Sequence, residues 1–211
     1  MKKIFKLGSA LISLVLVLAI GWYVVFAGSA KPITNNVAEL EQTLSEMGWV
    51  SPGISDEHVL YEISFRSCPA CASFHKNEFP KLQAMGVDTR LFVFSLGPQR
   101  SKPKERAVIA ELYKNRSWEL AENWWAETNP GRFYANVKDI PDADGDPERT
   151  ASIEHGIAQL DKIADILANN GFKSLATPIL IWKNNKGQWK AGNGYNLIHN
   201  AQIRADIRPK N

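Results

Sequence analysis

The sequence predicts an α/β fold, and three observations carry that expectation. The run Val59-Leu60-Tyr61-Glu62-Ile63-Ser64-Phe65 is β-branched and aromatic, as a buried strand is. A helical stretch follows from Pro69 to about residue 84, and then a second apolar run, Leu91-Phe92-Val93-Phe94. Two strands joined through a helix are expected to lie parallel in one sheet. Far downstream, Ala176-Thr177-Pro178-Ile179-Leu180-Ile181-Trp182 reads as a third strand with a proline at its head. A turn over 183–187 and a return strand over 188–191 would make a hairpin of it. The intervening residues, about 102–172, read as mainly helical.

The elements follow in chain order. The chain has 211 residues, 45% of them hydrophobic, which fits one domain plus extras. Its formal charge of +3 is accounted for by Lys2, Lys3 and Lys6, so the remainder is neutral on the same count. No basic face is implied, and nucleic acid is not an expected partner. Between Lys6 and Lys31 stand 24 uncharged residues, and about 20 apolar residues span a hydrocarbon core. A cleaved signal peptide would end on small residues such as Gly28-Ser29-Ala30. A retained anchor would carry an aromatic pair near the interface, as Trp22-Tyr23 offers, and the length favours the anchor. Residues 1–30 are therefore expected as a membrane anchor or uncleaved signal, with the N-terminus cytoplasmic and the rest outside. Residues 31–56 read as a helical stalk or linker. Val37, Leu40, Leu44 and Met47 form its apolar stripe, Gly48 its stop and Ser51-Pro52-Gly53 a turn. A helix packed on the domain's flank is the plain alternative.

The next segment carries the chemistry. Cys68 and Cys71 are the only two cysteines of the chain, and both lie in Arg66-Ser67-Cys68-Pro69-Ala70-Cys71. With Pro69 at the first helical position, Cys68 falls at the N-cap, where free N–H groups and the helix dipole favour an anion. A thiolate is such an anion, and this placement typically lowers a cysteine pKa from ~8.5 into the range ~3.5–7.5. Cys71, one turn further in, would be shielded and would act as the resolving thiol. A structural disulfide here would close too short a loop to staple much. The competing use is a periplasmic module that binds or delivers a soft metal such as Cu(I), since Cys68, Cys71 and His75 could offer three ligands. A closed structural site needs four, and no second C-x-x-C or H-x-x-x-H exists to complete it. Neither a metal nor an organic cofactor is expected.

The helical block continues with a helix from Pro103 to about residue 114, another over 118–127, and a break at Asn129-Pro130-Gly131. Trp118, Trp124 and Trp125 read as its core. The acidic run Asp142-Ala143-Asp144-Gly145-Asp146 reads as a solvated turn, its glycine misplaced for an EF-hand. Ile153, Ile157, Leu160, Ile163 and Leu167 form a long helical stripe closed by Asn170-Gly171. Gly192-Asn193-Gly194 reads as a turn, and a last helix starts near Asn196.

This order, with C-x-x-C and Thr177-Pro178 about a hundred residues apart, resembles the thioredoxin fold over residues 57–208. The helical insertion, about 102–172, between the second strand and the proline-headed strand is similar to the Dsb group of periplasmic disulfide enzymes. His75-Lys76, the run 82–87 and Ala176-Thr177-Pro178 look closest to the catalytic domain of DsbC and DsbG. The resemblance implies a thiol–disulfide oxidoreductase. Cys68 would be the exposed nucleophile, Cys71 the resolving cysteine and Pro178 a cis-proline that guides the client chain. Thr177 would tune release and potential. Glu62 matches the buried acid of thioredoxin and DsbA, which helps move the proton of the resolving thiol. Burial would raise the pKa of such an acid toward a useful value. Partners implied are client proteins with cysteines and a membrane redox partner of DsbD or DsbB type. Localisation is the inner membrane with a periplasmic domain, or the soluble periplasm after cleavage. Two departures stand out. Residues 31–56 are too few for the dimerisation domain of DsbC and DsbG, and those proteins lack an acid where Glu62 stands. Pro69-Ala70 also supplies no cation beside Cys68, unlike the histidine of DsbA. A potential between about −120 and −270 mV is therefore expected.

Overall fold

The computed structural model describes residues 30–208. Strands β1 (Lys31–Pro32), β2 (Val59–Ser64), β3 (Asp88–Val93), β4 (Ile179–Lys183) and β5 (Trp189–Asn193) form one sheet in the order β1-β5-β4-β2-β3. β2 runs parallel to β3, with Ser64 opposite Val93, because helices α2 (Pro69–Asn77) and α3 (Phe79–Ala84) carry the chain back between them. β4 runs antiparallel to β2, with Glu62 opposite Leu180, and β5 returns antiparallel beside β4. The remaining helices are α1 (Val37–Glu46), α4 (Pro103–Asn115), α5 (Trp118–Ala126), α6 (Pro147–Asn169) and α7 (Leu197–Ile207).

Side chains alternate across a strand, and the sheet feeds a core on each face. Leu60, Leu91, Val93, Leu180 and Trp182 join Phe74, Leu82, Leu112, Trp124 and Ile203 on one side. Ile63, Phe92, Phe94, Ile179 and Ile181 join Leu40, Leu44, Met47, Ile163 and Leu167 on the other. Glu62 shares the first face with Leu60, the face covered by the helix that carries the cysteines.

Several expectations are corrected. Residues 31–56 are not a free-standing stalk among the described residues. β1 pairs with β5, Ile33, Leu40, Leu44 and Met47 are buried against the sheet with Val37 partly so, and Val50 bridges to Leu91. Arg116 ties the segment down by donating to the carbonyls of Met47 and Trp49 at 2.6 and 2.8 Å. The apolar stripe finds a covering face here, which a stalk would leave wet. The helix expected to run unbroken from Pro69 to residue 84 divides at Glu78, because Pro80 has no N–H to continue the ladder. Glu78 pairs there with Arg204 of α7 and with Lys81. The acidic run is no mere solvated turn. Asp144 pairs with Arg106, whose hydrogen bond lowers the Asp144 pKa, and Asp146 caps α6 by accepting from the Arg149 N–H at 3.1 Å. Gly192 and Asn193 belong to β5 rather than to a turn.

No helix among the described residues is long and apolar enough to cross a membrane. The segment expected as an anchor, residues 1–30, lies outside the described residues except for Ala30.

Candidate active site

β2 ends at Ser64, and the chain turns through Phe65, Arg66 and Ser67, with the Cys68 N–H donating to the Phe65 carbonyl at 3.1 Å. Cys68 is the N-cap of α2, with an extended backbone, and Pro69 opens the helix where its missing N–H costs nothing. Cys68 and Cys71 are joined in a disulfide with their Cα atoms 5.2 Å apart. The Cys71 N–H donates to Cys68 Sγ at 3.1 Å, as a capping donor does. From across the site Thr177 Oγ1 donates to the same sulfur at 3.2 Å, and the Thr177 carbonyl oxygen lies 3.7 Å from it. The Thr177–Pro178 peptide is cis. The Gly194 N–H holds this turn by donating to the carbonyls of Ala176 and Pro178 at 3.0 and 2.9 Å, and Gly194 takes a positive φ to do so.

The two sulfurs differ in access. Cys68 is 4% exposed and Cys71 not at all. Cys68, and not Cys71, lines a groove of about 890 Å³ between α2, α3, α5 and the loop after α5. The expected exposed nucleophile is therefore a residue at the floor of a groove. Trp118, Trp125, Phe79 and Phe133 give the groove aromatic walls. Trp124 is wholly buried as expected, whereas Trp118 and Trp125 serve as wall rather than as core alone.

Glu62 is wholly buried, as its apolar setting implied. Its carboxylate accepts from the Ser64 hydroxyl and lies 3.0 Å from His75 Nε2. His75 is thus paired with Glu62 through Nε2. Among the described residues no group of three or more His, Cys, Asp or Glu side chains could hold a metal ion.

Arg66 carries no sequence signal beyond standing next to the cysteines, yet it knits the site to the helical insertion. Its guanidinium is buried over the Phe133 ring at 3.7 Å and near Trp125 at 4.8 Å. It donates to the carbonyls of Trp124 and Glu127 at the end of α5. Burial pulls its pKa down to about 10, opposed by Tyr134, Glu105 and Glu127. Burial likewise raises Glu105, and burial, reinforced by the neighbouring Glu105, pushes Tyr134 up to about 12.

A parallel strand pair enclosing a helix, an antiparallel hairpin entered through a cis-proline, and a C-x-x-C disulfide at the helix N-terminus define a thioredoxin-like fold with a dithiol site. The crystal structure of Proteus mirabilis ScsC in a transitional conformation is similar to this chain. The two are 13% identical, the match covers 97% of this chain and 92% of that one, and the TM-score is 0.53. At that identity the likeness bears on the fold. No protein-family model matches the chain, and no curated protein matches it.

Proposed function

We propose that the protein is a thiol–disulfide oxidoreductase exchanging disulfides with client proteins through Cys68 and Cys71. One observation carries this reading: of the two bonded sulfurs, only Cys68 reaches the groove, and two donors hold it there. Both donors favour negative charge on that sulfur once the bond is open. Cys68 as thiolate attacks a client disulfide, one client sulfur leaves as thiolate, and a mixed disulfide forms. Cys71 then attacks Cys68 Sγ, expels the second client sulfur and restores the Cys68–Cys71 bond. Run backwards, the steps oxidise a client. Pro178 and Thr177 would hold the client strand over Cys68, and Glu62 would take the proton of Cys71. No metal or organic cofactor enters these steps.

A finer reading places the protein near DsbC and DsbG within the Dsb group, on His75-Lys76 and Ala176-Thr177-Pro178. It tethers the domain to the inner membrane through residues 1–30, with the domain in the periplasm. A DsbD- or DsbB-type membrane partner would recharge the pair there. The apolar segment and the lysines before it support this placement.

The test is a Cys71→Ser variant expressed in cells. Client-linked adducts through Cys68 should accumulate and show on a gel run without reductant, and disappear with reductant. Their absence would count against the reading.

A further inference from the structure

The buried carboxylate at the centre of this site has no route of its own to water. Glu62 is wholly buried and so is Cys71, so a proton passing between them cannot leave through either. Two partners of this carboxylate are described. Ser64, on the same strand, is itself wholly buried. His75 places Nε2 3.0 Å from the carboxylate, yet its side chain is 12% exposed and lines the groove. It stands one helical turn beyond Cys71 on α2. Its ring stacks on Trp125 with centroids 4.1 Å apart and leans on Phe79 at 4.2 Å. A ring clamped in this way holds its nitrogen 3.0 Å from the carboxylate.

We propose that His75 is the proton outlet of the site, a positioning residue that acts through Glu62. The proposal rests on the thiol–disulfide reading. During closure of the pair, the Cys71 thiol gives its proton to Glu62. Cys71 Sγ attacks Cys68 Sγ, the Cys68–Cys71 bond forms, the Cys68–client bond breaks, and the electron pair leaves on the client sulfur. Glu62 hands its proton to Nε2 of neutral His75, and the imidazolium releases a proton to water in the groove. The charged groups around that ring are Glu62 beneath it, Lys76 beside it on α2, Arg66 from the turn, and Glu122 and Glu127 from the α5 side of the groove.

The reduced protein mixed with 5,5′-dithiobis(2-nitrobenzoate) separates the steps, because one coloured thiolate leaves when Cys68 attacks and a second when Cys71 closes the pair. A His75→Gln variant keeps an amide facing Glu62 but cannot relay a proton. Its second phase should slow at least tenfold near neutral pH, with the first phase within twofold of wild type. The pH profile of the second phase should lose an inflection that wild type shows. Glu62→Gln combined with His75→Gln should be no slower than Glu62→Gln alone, and added imidazole should restore His75→Ala. A second phase within twofold of wild type in both His75 variants, or equal slowing of both phases, overturns the proposal. Should the variants fail to fold, the wild-type second phase in heavy water decides: slowing of at least twofold is expected, and an unchanged rate overturns it. A wild-type protein with no second phase would overturn the thiol–disulfide reading itself.

Discussion

Two sulfurs three residues apart sit in different surroundings, and the proposed chemistry follows from that difference. Cys68 meets the groove and accepts from a backbone N–H and a threonine hydroxyl, whereas Cys71 meets only the interior. Removing the hydroxyl tests its share. Thr177→Val should lose about 1 kcal/mol of stabilisation of the reduced Cys68 thiolate. That corresponds to a reduction potential lower by about 20 mV, read by equilibration against glutathione buffers. An unchanged potential would remove Thr177 from the account. Cys68, Cys71 and the proline heading β4 stand out by local spacing alone, whereas Thr177 and Glu62 enter as candidate site residues only through the resemblance to the thioredoxin fold. His75 was legible as part of the His75-Lys76 resemblance and as a candidate metal ligand, not as a partner of Glu62. Its partner Glu62 is 13 residues earlier on a different element, and no spacing rule encodes a contact between a strand and the helix laid over it. Arg66 was not legible at all, since its partners Trp124, Glu127 and Phe133 come from the insertion.

At the scale of elements, strand runs and helical stripes located most of the fold, and proline and glycine gave most of the boundaries. The misreadings have physical causes. Residues 31–56 looked like a linker because a two-residue strand has no pattern of its own; β1 exists only through its pairing with β5. Gly48, read as a helix stop, does other work as well, and Gly156 inside α6 shares it. Tyr113 lies stacked on Phe92 and donates to the Val93 carbonyl at 2.8 Å, with Gly48 on one side of its ring and Gly156 on the other. A Cβ at Gly156 would stand 2.6 Å from the Tyr113 ring, and one at Gly48 would overlap it as well. Gly156→Ala gains helix propensity worth about 1 kcal/mol, but overpacking of this kind costs about 1–3 kcal/mol. Because the ring is confined on both sides, the clash should prevail. A net loss of up to about 2 kcal/mol is expected in urea unfolding, and a stabilised variant would show that Tyr113 is free to move.

For the whole molecule, the sheet supports a core on each face, and Arg66 fastens the helical insertion to the cysteine turn. That fastening depends on charge in a buried place. Burial raises the pKa of Glu105, so the folded chain holds this proton more tightly than the unfolded chain does. Its contribution to stability is therefore fully present below about pH 4.5, the ordinary glutamate value, and is lost as pH rises through the raised folded value. Glu105→Gln should flatten the pH dependence of unfolding free energy above that point. An unaltered slope would place the effect elsewhere. The central claim concerns the molecule as a working pair: an ionised sulfur at position 68 and a sheltered partner at 71. Alkylation of the reduced protein by iodoacetamide across pH, with each cysteine followed by mass spectrometry, tests it most directly. Cys68 should react first and keep its rate well below pH 8.5, about where an ordinary thiol loses it, while Cys71 stays unmodified in the folded state. Two sulfurs reacting alike, with the pH dependence of a free cysteine, would contradict the account.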